Sequence, residues 1–214
     1  MANGQVSDRE EQVAAIGTIK TRLRENYSYF YSKYSLGFSP EDDYSSSDGD
    51  ALEPTEVKEA YFHTGDLTIQ SPWQVTAGER YVVFVDGNLN IEDPGGVGEL
   101  IAVDEGGFLA FIVSGDINIA DSVGHSDLSN TAGNIEGIYV ADGTIRIESN
   151  GEMDKRFIGE GTFVGWTDVL MQRDFNDEDI NGAYPTETFV YRPDFVKYTP
   201  EKMKRAQMLW QETN

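Results

Sequence analysis

A phrase of apolar residues, a polar corner, a glycine and then alternating apolar and polar residues recurs five times along the chain. The copies are YFHTGDLTI from Tyr61, VVFVDGNLNI from Val82, AFIVSGDINI from Ala110, IYVADGTIRI from Ile138 and RFIGEGTFVG from Arg156. Their glycines, Gly65, Gly87, Gly115, Gly143 and Gly161, are spaced 22, 28, 28 and 18 residues apart. Two and four positions after each glycine stand Leu67, Leu89, Ile117, Ile145 and Phe163, then Ile69, Ile91, Ile119, Ile147 and Gly165. Polar residues separate most of them, the period-2 pattern of a half-buried strand. The glycine is read as a corner that needs positive φ. The alternation is expected to reset there, which sends Phe62, Phe84, Ile112, Val140 and Ile158 inward and places Tyr61, Val83, Phe111, Tyr139 and Phe157 on the outer face.

One amphipathic strand pair has nothing to pack on, whereas stacked pairs build a continuous core and satisfy each other's backbone groups. The pattern therefore predicts a mainly β fold, a parallel β-helix or solenoid of about five coils, right-handed by the rule for parallel crossovers. The outer column of Tyr61, Val83, Phe111, Tyr139 and Phe157 then needs a cover. Flanking segments, a second subunit or, in a binding module, a glycan would supply it.

Four regions follow: 1–39, helical and aromatic; 40–58, an acidic linker containing PEDDYSSSDGD; 59–172, the solenoid; and 173–214, an acidic loop, an extended segment and a capping helix. Ser7 and Glu10 form a capping box before Val13, Ile16, Ile19 and Leu23, which predicts a helix from Asp8 to about Arg24. The aromatic run NYSYFYSKYS is expected to lie along the side of the solenoid, and TDVLMQRDF reads as a further strand. The stretch from Pro200 to about Gln211, with Met203, Ala206, Met208 and Leu209 on one side, reads as a terminal cap.

Composition narrows the function. With 38 acidic and 16 basic residues the formal charge is -22, which repels nucleic acid phosphates and anionic lipid. The absence of cysteine excludes disulfides, thiolate metal sites and a cysteine nucleophile. Apolar runs such as FLAFIV are too short for a membrane span, and the opening MANGQVSDREE shows no secretion signal. His63 and His125 are the two histidines, and neither has a metal-binding partner at helical spacing. No phosphate-binding glycine motif is present. Asp86, Asp142 and Glu160 share a corner column, which is thin support for the paired-carboxylate chemistry of a polysaccharide lyase or hydrolase. The strongest chemical motif is DEDING, where Asp177, Asp179 and Asn181 alternate before Gly182 as in a calcium loop. The closing carboxylate is out of place, since Thr188 holds that position beside Glu187 and Pro185 interrupts the exit.

The segments GIYVADGTI, MQRDF, PTETFVYRPDFV and the terminal WQE resemble the closing module of large surface proteins of candidate-phylum bacteria. The resemblance covers roughly Tyr27 to Glu212 and is most specific at Arg173-Asp174 and from Pro185 to Asp194; Phe175 and Asn176 stand where that family often has leucine and glycine. It implies a parallel β-helix and a cell-surface or extracellular location, and it names no catalytic residue. The expectation is a non-enzymatic structural protein that self-assembles as a fibre or surface layer. A glycan-binding adhesin is the alternative, and a carbohydrate-active enzyme the third reading.

Overall fold

Each repeat folds as two short strands joined at a corner, and the strands of successive repeats stack in register. In the computed structural model, which describes residues 24–36, 53, 54, 58 and 60–204, two parallel sheets run along the repeats. The first stacks β1 (Tyr61–Thr64), β4 (Arg80–Asp86), β7 (Phe108–Val113), β9 (Ile135–Ala141), β11 (Phe157–Gly165) and β13 (Glu187–Val190). β3 (Trp73–Val75) and β6 (Ile101–Val103) join it where Ile101 pairs with Ile135. The second stacks β2 (Leu67–Ile69), β5 (Leu89–Ile91), β8 (Ile117–Ile119), β10 (Thr144–Ile147) and β12 (Asp168–Met171). The protein is a mainly β, parallel solenoid of about four turns.

The inward columns differ from the expected phase. The alternation runs through the corner without a reset, so Tyr61, Val83, Phe111 and Tyr139 are interior together with His63, Val85, Val113 and Ala141. The rings of Phe111 and Tyr139 stack at 5.5 Å, and Trp73 of β3 meets Phe111 from across the interior at 5.5 Å. Phe62, Phe84, Ile112 and Val140 face the opposite way, and hydrophobicity could not reveal it because that face is covered too.

The cover comes from this chain. Helix α1 (Tyr27–Tyr34) is the aromatic run, and Tyr27, Tyr31 and Tyr34 all place their rings on Phe84. Burial and the neighbouring Asp86 push the Tyr27 hydroxyl pKa well up. Helix α2 (Glu178–Ala183) precedes β13, and helix α3 (Asp194–Tyr198) brings Phe195 against Phe108 farther along the same face. A 3-10 turn (Glu201–Met203) then returns toward α1, where Lys202 sits over the Tyr34 ring and Lys33 Nζ donates to the Lys204 carbonyl. The helix expected over residues 8–24 lies outside the described residues except for Arg24, as do most of the 40–58 linker and the part of the predicted terminal helix beyond Lys204.

The fifth repeat is shifted. Gly161 stacks on Gly137, at φ 130° and 142°, where the strand bends between two faces. The corner of the last coil is instead Thr167, whose N–H donates to the Gly143 carbonyl at 3.0 Å. Phe163 takes the place assigned to Phe157 and stacks on Tyr139 at 4.9 Å. Phe157 is buried in a different column, paired with Glu187.

The corner glycines are required by close approach more than by φ. Of Gly65, Gly87, Gly115 and Gly143, Gly65 alone has positive φ. The residue after each glycine reaches up to the next coil: Asp66 Oδ1 accepts from Asn88 N at 2.7 Å, Asn88 Oδ1 from Asp116 N at 2.9 Å and Asp116 Oδ1 from Thr144 N at 2.7 Å. A Cβ on Gly115 would overlap Asn88 Oδ1, and one on Gly143 would overlap Asp116 Oδ1. Thr144 follows with a shorter side chain, and there the glycine column ends at Thr167.

Candidate functional site

The residues of the expected calcium loop lie at the start of α2. Asp177 is the N-cap of α2 and accepts from the backbone N–H groups of Asp179 and Ile180, while Asn181 accepts from Phe175 N and donates to Asp174 Oδ1. Asp177 therefore caps the helix, and Asn181 ties the same turn to Asp174. Among the described residues, no group of three or more His, Asp and Glu side chains is arranged to hold a metal ion.

The corner acids are separated as well. Asp142 accepts from Tyr27 N at 2.8 Å and from Asn26 Nδ2 at 3.3 Å, so it anchors the start of α1. Asp86 accepts from the Ser114 hydroxyl. Glu160 belongs to another cluster, which the repeat pattern gave no means of seeing. Arg192 reaches Glu136 at 2.5 Å, Glu160 at 3.5 Å and Asp194 at 2.8 Å, and donates to the Val103 carbonyl at 3.0 Å. Its guanidinium lies 4.7 Å from the Phe195 ring centroid. Burial raises the Glu136 pKa, and the hydrogen bonds from Arg192 lower that of Asp194. Three carboxylates meet here, but the arginine fills the space between them and fastens the segment carrying α3 to the first sheet.

The polar insertion at 121–134 is internally satisfied. His125 is buried, with Nε2 2.8 Å from the Ala132 carbonyl and Nδ1 3.2 Å from Asn130 Nδ2. Asn134 ties three coils: its side chain donates to the Gly98 carbonyl at 2.6 Å and accepts from Ile158 N at 2.7 Å. Arg173 is buried and donates to the carbonyls of Ala120, Val123, Glu148 and Lys155, gathering the loops of adjacent coils. Desolvation lowers its pKa. Nothing in the sequence marked Asn134 and Arg173 as buried, because their partners are backbone groups remote along the chain.

The region left without such closure is the last coil. Met171 crowns the column Ile69, Ile91, Ile119 and Ile147, and it is 60% exposed although the four isoleucines are 0% exposed. Phe189 crowns the column Trp73, Ile101, Ile135 and Gly159, and it is 40% exposed. Val190 and Tyr191 are exposed beside it. Among the described residues, β12 and β13 each pair on one side, which leaves strand edges next to apolar side chains. True register identifies this end: Val169 and Met171 continue the alternation of Ile145 and Ile147.

The class defined by this geometry is a parallel β-solenoid whose last coil, among the described residues, leaves apolar side chains exposed. No protein family, curated protein or solved structure matches the chain. Among the described residues, no helix is long and apolar enough to cross a membrane.

Proposed function

We propose that the chain is a non-enzymatic structural protein of a cell-surface or extracellular assembly, and that it associates with copies of itself through the last coil. The observation that carries the reading is the exposure of Met171 and Phe189 at the tops of two buried columns, beside unpaired strand edges. Exposed apolar surface next to free strand edges favours association. Among the described residues the first coil offers no matching surface, since Tyr61, Leu67, Ile69, Trp73 and Val75 are all buried. That difference favours a discrete assembly over an endless fibre, because a heterologous contact needs two complementary open ends.

The other readings have weaker support. A glycan platform built on Tyr61, Phe111 and Tyr139 is unavailable, because those rings are interior. Of the carboxylates suggested for catalysis, Asp142 anchors α1, Asp86 accepts from Ser114 and Glu160 meets Arg192. Light scattering on the whole chain, over about a hundredfold range of concentration with and without calcium, tests the reading by mass action. The expected mass rises from monomer to a fixed small multiple in both conditions. Strictly monomeric particles throughout would overturn it.

A further inference from the structure

We infer that Asn150, followed by Gly151, is a site of spontaneous covalent modification in which the asparagine side chain closes on the glycine nitrogen, and that its conversion loosens residues 174–183 from the last coil. Neither statement depends on self-association. Two Asn-Gly pairs stand among the described residues, Asn150–Gly151 and Asn181–Gly182, and both are exposed. Exposure therefore does not separate them; geometry does. Asn181 lies inside α2, and its side chain is held at both ends, accepting from Phe175 N at 3.2 Å and donating to Asp174 Oδ1 at 2.8 Å. Asn150 lies in the loop between β10 and β11. Its Oδ1 accepts from Glu152 N at 2.7 Å, and its amide nitrogen is untethered among the described residues.

The bond to Glu152 positions the reaction. The ring it closes contains the Gly151 nitrogen, so the side-chain carbonyl carbon is folded back toward the atom that attacks it. Gly151 sits at φ 78° with open space around it, so its backbone is free to turn into the approach. Its N–H donates to Ser149 Oγ at 3.0 Å, which gives the departing proton a path to solvent. The nitrogen, once deprotonated, bonds to Asn150 Cγ; the bond from Cγ to Nδ2 breaks, and ammonia leaves carrying the transferred proton. Water then opens the cyclic imide at either carbonyl, giving aspartate or, with the main chain routed through the side chain, isoaspartate. The sum converts an amide and a water into a carboxylic acid and ammonia, and no other reactant is needed.

The same loop is a seat for the chain that leaves the last coil. Asp154 is buried; one of its oxygens accepts from Asn150 N at 3.2 Å and the other from Asp174 N at 2.8 Å, while its own N–H donates to the Asp174 carbonyl at 3.1 Å. Asn176 Nδ2 donates to the carbonyls of Gly151 and Glu152 at 3.3 and 2.6 Å. Isoaspartate at 150 lengthens the backbone inside this knot, and either product sets a new carboxylate close to Asp154. Both changes act against the bonds that hold Asp174 and Asn176. Asp174 in turn holds Asn181 of α2, so the loosening passes to the helix.

Ageing the full chain at mildly alkaline pH tests this, with each pair followed by peptide mapping and by mass spectrometry that tells aspartate from isoaspartate. Asn150 is expected to convert at least about tenfold faster than Asn181 in the folded chain, and the two rates are expected to converge in urea, where the tethers on Asn181 are gone. Limited proteolysis within residues 174–183 is expected to rise in step with conversion at 150. Asn150→Gln, which keeps an amide but disfavours ring closure, is expected to leave that segment resistant through the same ageing. Comparable rates at the two pairs in the folded chain overturn the site. A difference of the same size in urea also overturns it, since flanking sequence and not the fold would then set the rates. Conversion at 150 with unchanged proteolysis overturns the loosening, and so does an equal rise in proteolysis of the aged Asn150→Gln chain.

Discussion

The first and last coils are built from the same columns and finish them differently. At the first coil Ile69 and Trp73 are buried, although β2 and β3 pair on one side among the described residues. At the last coil Met171 and Phe189 continue those two columns into solvent. Stacked repeats share stability with their neighbours, so a terminal repeat depends on what closes it. The energetic weight of a column therefore sits toward its closed end, and the last coil is where the described residues leave apolar side chains exposed.

The sharpest way to break that comparison is to truncate the two ends of one column. Trp73→Ala removes a buried ring packed on Phe111 and is expected to cost about 3–5 kcal/mol in urea unfolding. Phe189→Ala removes a ring that is 40% exposed and touches Phe157 and Phe163 at 6.0 and 5.0 Å, with an expected cost of about 1–2 kcal/mol. Equal costs would show that the last coil is as closed as the first. Unfolding curves for the pair, measured on the same chain, decide it.

The corner column sharpens the contrast at the level of backbone approach. Gly143→Ala places a methyl group on Asp116 Oδ1 and against the Gly115 carbonyl, and the expected loss is about 2–4 kcal/mol. At the equivalent position of the last coil, Thr167→Ala keeps the N–H bond to the Gly143 carbonyl and loses a long hydroxyl contact to Asp142 at 3.4 Å. Its expected effect stays within about 0.5 kcal/mol. If Gly143→Ala is as mild as Thr167→Ala, close stacking does not explain the glycines.

These positions also show what was legible beforehand. The columns after the glycine, Leu67 to Ile145 and Ile69 to Ile147, alternate with polar residues, so strand, face and stacking could all be read. Before the glycine both parities are apolar, since one lines the interior and the other lies under α1 or α3. Hydrophobicity alone could not choose, and the assumed reset inverted the choice. The fifth copy misled for a related reason: Gly161 belongs to a second bend stacked on Gly137, and Thr167 replaces the expected glycine once Thr144 ends the ladder. Arg173 and Asn134 act through residues remote along the chain, as Arg192 does through Glu136 and Val103, and no local pattern encodes such contacts. The proposed calcium residues followed an alternation that an N-cap produces equally well.

A third comparison sets the clip at Arg192 against the calcium loop. Arg192→Ala leaves Glu136, Glu160 and Asp194 together without their cation, and a loss of about 2 kcal/mol is expected for a group of partly buried charges. Asp177→Ala removes the cap of α2, whose residues are not buried, and about 1 kcal/mol is expected. Proteolysis should then cut near α3 in the first variant and near α2 in the second. Cleavage near α2 in both would deny the clip its role.

The smallest effect separates the interior of the ladder from its end, and it depends on pH. Asp116 accepts from Thr144 N in the next coil and from Arg146 at 2.6 Å, and these bonds hold its carboxyl pKa below the ordinary value. A carboxylate whose folded pKa is depressed stabilises the fold above its unfolded pKa, about 3.9, and that contribution disappears as pH falls through the lower folded value. Asp116→Asn keeps an acceptor for Thr144 but loses the partly exposed ion pair, so about 0.5–1 kcal/mol is expected at neutral pH. The difference from the parent chain should shrink below about pH 4. Asp168, at the same place in the last coil, turns its carboxylate to the adjacent Val169 N at 2.8 Å and, among the described residues, reaches no coil beyond. Asp168→Asn should therefore alter unfolding by less than about 0.5 kcal/mol at neutral pH. A loss there as large as that of Asp116→Asn, measured in the full chain, would mean that the ladder continues past the last coil onto whatever covers it.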